Sequence, residues 1–119
     1  MGTTAFRDIK ITKGDDFTLV FRMKYEEAGA LLPLDLTGSV LTIKMDFSDG
    51  TERTYSTPGT EFNITDAVNG EATFTLSETV TDALPDTKYR GRWSLKRTID
   101  GTTTKHIAGS VFLIDWTKT

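Results

Sequence analysis

Apolar and polar residues alternate with a period of two along most of the chain. In the clearest run, residues 17–25, Phe, Leu, Phe, Met and Tyr alternate with Thr, Val, Arg and Lys. Residues 41–47, 72–76 and 89–96 repeat this pattern. Only a strand places alternate side chains on opposite faces, so these four segments are predicted to be β-strands.

Turn signals separate these strands and predict further ones. Asp49-Gly50 and Asp100-Gly101 each lie between two strand patterns, and Asp-Gly favours the positive φ angles of a type I′ hairpin turn. Short strands are predicted at 52–56 and 61–64, and a long final strand at 104–115. Residues 26–38 contain Gly29, Pro33 and Gly38 and are predicted to form a loop.

One segment breaks the strand pattern. Residues 77–84 open with Ser77, a capping residue, and are followed by Pro85, so one or two helical turns are predicted there. Seven or eight strands at regular spacing with one short helical crossover indicate an all-β fold, an antiparallel β-sandwich. The length of 119 residues fits one domain, which is predicted to span residues 1–119.

The final strand is apolar on both faces. A strand of this kind normally has something packed against each face of its sheet, whereas a small sandwich offers one core. The second face is therefore predicted to meet a partner or a neighbouring copy. Alternatively, the helical segment or the loop at 26–38 covers it. One face carries Ile107, Val111 and Leu113, and the other carries Phe112, Ile114 and Trp116.

Charge is distributed unevenly around a net value of −3. Residues 1–85 hold seven Lys or Arg against fourteen Asp or Glu, whereas residues 86–119 hold seven against three. Arg90, Arg92 and Lys96 form a basic face of the predicted strand at 89–96, either to register a partner or as a solvated surface. With Phe112, Ile114 and Trp116 they make up the candidate interface. The overall acidity argues against nucleic-acid binding.

Catalytic chemistry is sparse in the sequence. The absence of cysteine excludes disulfides, thiol nucleophiles and thiolate metal sites, and the single histidine, His106, lies in a predicted strand. No Gly-x-Ser-x-Gly, His-Glu-x-x-His or phosphate-binding motif occurs. Asp15-Asp16 and the pair Asp46 and Asp49 could contribute calcium ligands, but turn chemistry explains them as well. We therefore predict that the protein is not an enzyme and that it binds neither a metal nor a cofactor.

Two further expectations concern location and sugars. No apolar run approaches the ~20 residues of a membrane span, and the polar start is unlike a signal peptide. Synthesis in the cytoplasm without membrane contact is expected. A platform formed by Tyr55, Tyr89, Trp93 and Trp116 would suit a carbohydrate-binding module for a host-surface glycan, although core packing accounts for Trp93 more simply.

Several motifs resemble the immunoglobulin-like domains of phage tails and baseplates. Residues 11–19, ITKGDDFTL, are similar to the x-x-G-D-D/T-x-x-L opening of those domains. Residues 33–40, PLDLTGSV, resemble their P-x-D-L-T-G-A-x signature, with Ser39 in place of the usual alanine. Residues 64–76 and 84–89 resemble two later segments, with Thr87 where glycine is common. The similarity covers roughly residues 9–114.

This resemblance implies an immunoglobulin-like sandwich that serves as a structural protein of a phage or prophage virion, made in the bacterial cytoplasm. The chain resembles in particular the N-terminal domain of a baseplate upper protein. The implied partners are other virion proteins, with a trimer or hexamer as the implied homo-oligomer. Within the motif, Leu36 is expected to fill the core, and Thr37-Gly38 is expected to turn the chain into the next strand.

Overall fold

The structure, a computed structural model, describes residues 5–115. This part of the chain folds into short strands and one helix. The elements are β1 (Ala5–Phe6), β2 (Ile9–Thr12), β3 (Phe17–Arg22), β4 (Lys24–Glu27), β5 (Ala30–Pro33), β6 (Val40–Phe47), β7 (Glu52–Ser56), β8 (Phe62–Asp66), β9 (Glu71–Leu76), α1 (Glu78–Asp82), β10 (Gly91–Ile99) and β11 (Thr102–Ile114).

Two sheets form the sandwich. The larger sheet has the order β1-β11-β10-β6-β7, with β2 also pairing with β11, and the smaller sheet has the order β3-β9-β8. All pairs are antiparallel except those of β1 and β2 with β11, which are parallel. The predicted all-β sandwich is confirmed. Placing β10 between β6 and β11, opposite β3, β9 and β8, is the strand arrangement of an immunoglobulin-like domain.

The core lies between the two sheets and follows the predicted alternation. In β6 the residues Leu41, Ile43, Met45 and Phe47 are buried, and the residues between them face outward. Leu36 has no exposed surface, which confirms its predicted place in the core. Burying an aliphatic or aromatic side chain of this size contributes about 1.5–3 kcal/mol. The aromatic part of the core contains Phe21, Phe62, Phe74 and Trp93, with ring centroids of successive neighbours 5.7–6.0 Å apart.

Helix α1 begins where Ser77 predicts it. The hydroxyl of Ser77 accepts a hydrogen bond from the backbone N–H of Val80. Thr81 lies fully buried, and its hydroxyl accepts from the N–H of Gly14 over 3.0 Å and donates to the carbonyl of Asp15 over 2.8 Å. The crossover between the sheets is therefore held to the turn before β3.

The two Asp-Gly turns differ from each other. Asp100 and Gly101 have φ angles of 51° and 78°, so the predicted type I′ turn is confirmed there. At the other turn only Gly50 has a positive φ, 91°, and the type I′ prediction is wrong. The carboxylate of Asp49 accepts a hydrogen bond from the N–H of Thr51 over 2.9 Å, which holds Asp49 in an Asx turn instead.

The predicted loop at 26–38 is wrong in its first half, because β4 and β5 form a hairpin there. Its turn uses Ala28 and Gly29, with φ angles of 53° and 81°. The long strand predicted at 17–25 also divides at Met23, whose N–H donates to Gly70 and whose carbonyl accepts from Leu34. The chain leaves the smaller sheet at Met23, and the hairpin (β4 and β5) extends from that point.

Candidate interaction surface

The larger sheet has one face toward the core and one toward solvent. In β10, Trp93 and Leu95 are buried, so Arg92, Ser94 and Lys96 alternate onto the solvent side. The strand register places Arg92 opposite Ser110 of β11 and opposite Asp46 of β6. We call the solvent side of this sheet the outer face.

The outer face contains most of the predicted interface. Val111 and Leu113 are buried in the core, and Phe112 and Ile114 between and after them are half-buried on the outer face. The guanidinium of Arg90 lies 5.6 Å from the ring centroid of Phe112, a cation–π distance. Trp116, the remaining predicted residue, lies outside the described residues.

Two alternative covers were predicted for the outer side of β11, and both segments make their contacts elsewhere. Helix α1 bonds to the turn at Gly14 and Asp15. Of the predicted loop at 26–38, residues 26–33 belong to the hairpin, whose base bonds to Gly70. Phe112 is instead flanked by Arg90 and by Lys10, its register partner on β2. Its ring is therefore only partly shielded, by side chains that end in charged groups.

A shallow depression lies near the middle of the outer face. Its floor consists of the small residues Ser94, Ala108 and Ser110, and Phe6, Arg92 and Lys105 stand around it. Phe6 on β1 is 84% exposed, the largest exposed fraction among the large apolar side chains described. Phe6 was not among the predicted interface residues, because a two-residue strand shows no alternation.

Charges around the depression are not all balanced. Lys44 lies 3.1 Å from the carboxylate of Glu52 and 3.9 Å from that of Asp46, and the hydrogen bond to Glu52, with both carboxylate charges, raises the pKa of Lys44. Within residues 5–115, Arg92 and Lys96 form no ion pair. The outer face thus keeps positive charge available for a partner.

A second groove opens near the base of the hairpin. It is lined by Met23, Tyr25, Arg97 and His106, among others. The Nε2 atom of His106 is buried and has no hydrogen-bond partner among the described residues. Burial, and secondarily the charge of Arg97, lowers the pKa of His106, so the neutral imidazole is favoured. Arg97 itself bonds to Ser39 and to the carbonyl of Asp35.

Of the aromatic residues proposed as a sugar platform, the three within residues 5–115 do not lie together. Trp93 is 2% exposed and packs on Phe21 in the core, as predicted. Tyr55 is half-buried with its ring 5.2 Å from that of Phe74, and burial raises its pKa. Tyr89 lies apart from both, beside Lys88.

Three of the four acidic residues considered as calcium ligands have other side-chain contacts, and Asp46 is one of them, 3.9 Å from Lys44. The carboxylate of Asp16 accepts a hydrogen bond from the N–H of Glu78, and that of Asp49 caps its own turn. Over residues 5–115, no three histidine or carboxylate side chains are grouped as a metal site requires. In the same residues, no helix has the length and apolar character needed to cross a membrane.

Comparison with known proteins identifies the family of this sandwich. The family model described as "LtfC-like, beta-sandwich domain" matches residues 3–113, nearly the whole chain. LtfC is related to phage tail fibres, so the match supports a phage β-sandwich domain; it does not extend to the baseplate family that the motifs resembled. A search of curated proteins found no match. The chain belongs to the family of LtfC-like β-sandwich domains.

Proposed function

We propose that this chain is a non-enzymatic structural module of a phage or prophage particle, in its tail or baseplate. It assembles with other virion proteins through the outer face of its larger sheet. The family match supports the phage association, and the outer face supports the mode of action. The observation that carries the proposal is the combination, on this one face, of Phe6, Phe112 and Ile114 with cations that form no ion pair within residues 5–115.

The composition of this face suits a protein interface. Aromatic side chains and arginine are enriched at the centres of interfaces, where they account for much of the binding energy. Phe112 already lies against the Arg90 guanidinium, so a partner that covers the pair would bury both an apolar ring and a weakly hydrated cation. Arg92 and Lys96, without ion pairs in the described chain, would steer an acidic partner.

The test measures assembly in variants that remain folded. The molar mass of the purified chain is measured by light scattering over a concentration series, alone and with isolated tail proteins of the encoding phage. We expect association in at least one of these mixtures, and its loss in Phe112→Ser. Val68→Ser is the matched control, because it removes an apolar side chain that is 65% exposed and lies on the turn between β8 and β9 of the smaller sheet.

Circular dichroism and urea unfolding establish that both variants keep the fold. Association of folded Phe112→Ser at the wild-type concentration range would contradict the proposal. So would wild-type protein that stays monomeric alone and binds none of the tail proteins.

A further inference from the structure

The hairpin is exposed to solvent along its whole length. All eight residues of β4 and β5 are exposed, among them Leu31 at 66%, Tyr25 and Leu32. A two-stranded hairpin with no sheet beside it is marginally stable in water. This one is anchored at its base, through the bonds of Met23 to Gly70 and Leu34. Burial of its exposed apolar side chains against another protein surface would stabilise the hairpin.

One face of the hairpin combines an apolar side chain with a carboxylate. The register places Leu31 directly opposite Glu26, and Glu27 follows at the turn. Opposite residues of an antiparallel pair lie on the same face, with Cβ atoms about 4.5–5.5 Å apart. Leu31 and Glu26 therefore project together as an apolar knob beside a negative charge.

The depression on the outer face has the complementary features. Ser94, Ala108 and Ser110 leave room for an apolar side chain, and the Phe6 ring stands exposed at the side of that space. Arg92 borders the depression and forms no ion pair within residues 5–115, so it is available to a carboxylate. Lys44, by contrast, is already paired with Glu52.

The hairpin of one molecule does not occupy its own depression. Lys24, Tyr25 and Glu26 line the second groove, near Thr104 and His106, and not the depression. We propose that the depression receives the hairpin of a second copy of this chain, with Leu31 packed against Phe6 and Ala108 and Glu26 paired with Arg92. This inference rests on the proposed function, because it names the partner of the same outer face.

Such a contact is heterologous, since it joins two different surfaces of identical chains. Repeating it produces a closed ring when the rotation between copies closes, and an open filament when it does not. The ring of three or six copies implied by the sequence resemblance is one product of this geometry. Each copy would use its hairpin once and its depression once.

A charge exchange tests the pairing directly. Glu26→Arg and Arg92→Glu each place like charges in the contact, and both residues are exposed, so the fold should tolerate them. We expect the wild-type mass in light scattering to rise above the 13.2 kDa monomer with concentration. Each single variant should associate at least about 10-fold more weakly, which corresponds to about 1.4 kcal/mol.

The mixture of the two variants provides the decisive measurement. The hairpin of the Glu26→Arg variant, now basic, faces the depression of the Arg92→Glu variant, now acidic, and the reverse contact is that of wild type. An equimolar mixture should therefore regain association. Leu31→Ser should weaken association without altering charge, whereas Glu61→Arg, an acidic-to-basic change outside the hairpin, should leave association as in wild type. A mixture that stays monomeric, or a wild type of 13.2 kDa at every concentration, would overturn the inference.

Failure of this inference can be distinguished from failure of the proposed function. If Phe112→Ser and Arg92→Glu abolish association while Glu26→Arg and Leu31→Ser do not, the hairpin is not the occupant and the outer face remains the interface. If all four variants associate as wild type does, both the hairpin contact and the outer face are refuted.

Discussion

The indole Nε1 of Trp93 donates a hydrogen bond to the carbonyl oxygen of Arg7 over 2.7 Å. This bond joins the core of β10 to the segment between β1 and β2, across the intervening strand β11. The contact depends on Gly109, the register partner of Trp93, because a β-carbon there would overlap the Arg7 carbonyl. This hydrogen bond, together with the space left by Gly109, adds to the parallel pairing that joins β1 and β2 to β11.

Gly109→Ala should therefore destabilise the protein strongly. The new methyl group would displace the Arg7 backbone, and overpacking of this kind costs about 1–3 kcal/mol or more. Urea unfolding should show this loss in the free energy of unfolding. Ser110→Ala is the control, since Ser110 uses its backbone N–H to bond Asp8 and should change stability by less than about 0.5 kcal/mol. Equal stability of the two variants would contradict the assignment.

Thr81→Val should show how much the hydrogen bonds of the buried hydroxyl contribute to stability, apart from the packing of the side chain. Valine has nearly the same volume, but it leaves the Gly14 N–H and the Asp15 carbonyl without their partner. An unsatisfied buried group costs about 1–3 kcal/mol. Thr79→Val in the same helix is exposed and should be nearly neutral. Chemical denaturation of both variants measures the difference, and a neutral Thr81→Val would show that the hydroxyl is dispensable.

Gly70→Ala should loosen the base of the hairpin as well as destabilise the fold. Gly70 has a φ of 73°, and a β-carbon there would overlap the Met23 carbonyl and lie 2.7 Å from that of Leu34. We expect a lower free energy of unfolding and faster amide exchange at Met23 and Leu34. Gly29→Ala, also at positive φ but in open space, should show only the backbone strain of about 1 kcal/mol. Unchanged exchange at Met23 in Gly70→Ala would refute this role.

The free energy of unfolding should decline as the pH falls below the pKa of an ordinary histidine side chain. Because burial and Arg97 lower the pKa of folded His106, the unfolded chain binds a proton first, near its usual pKa of about 6.5. The contribution of neutral His106 to stability is therefore fully present above this pKa. It is lost as the pH falls from there to the lower pKa of His106 in the folded protein. Denaturation between pH 7.5 and 4.5 measures the slope, which His106→Gln should reduce.

Two aspartate carboxylates should affect stability in a separate, lower pH range of the same experiment. Hydrogen bonds from Thr37 lower the pKa of Asp35, and those from Thr51 lower that of Asp49, so their contribution is lost only below the ordinary aspartate value of 3.8. A slope that His106→Gln leaves unchanged above pH 4.5 would show that other groups cause it.

The sequence predicted those elements in which burial is one-sided. Leu41 to Phe47 alternate strictly because β6 has one core face, and Ser77 marks a helix because its cap is a local interaction. The hairpin was not predicted for the opposite reason: residues 26–33 are exposed on both faces, so no alternation of apolar and polar residues marks their pairing.

The candidate site was likewise predictable only where a local sequence pattern marks it. Phe112 and Ile114 stood out because they make a second apolar face on β11, and the structure places Arg90 beside Phe112. Phe6 and the small floor of Ser94 and Ala108 depend on which strands become neighbours. The parallel pairing of β1 with β11 joins residues about a hundred positions apart, and no local pattern encodes it.

That parallel pairing also determines how the domain would bear tension. Ala5 lies beside Ile107 and Thr12 beside Ile114, so the start of β1 and the end of β11 are separated by seven residues of strand, about 23 Å, along the sheet. A pull applied at Ala5 and Ile114 runs along the ladder and strains its hydrogen bonds together in shear, whereas an antiparallel pair would unzip bond by bond. The parallel pairing of β1 and β2 with β11 therefore gives the domain mechanical resistance along its length.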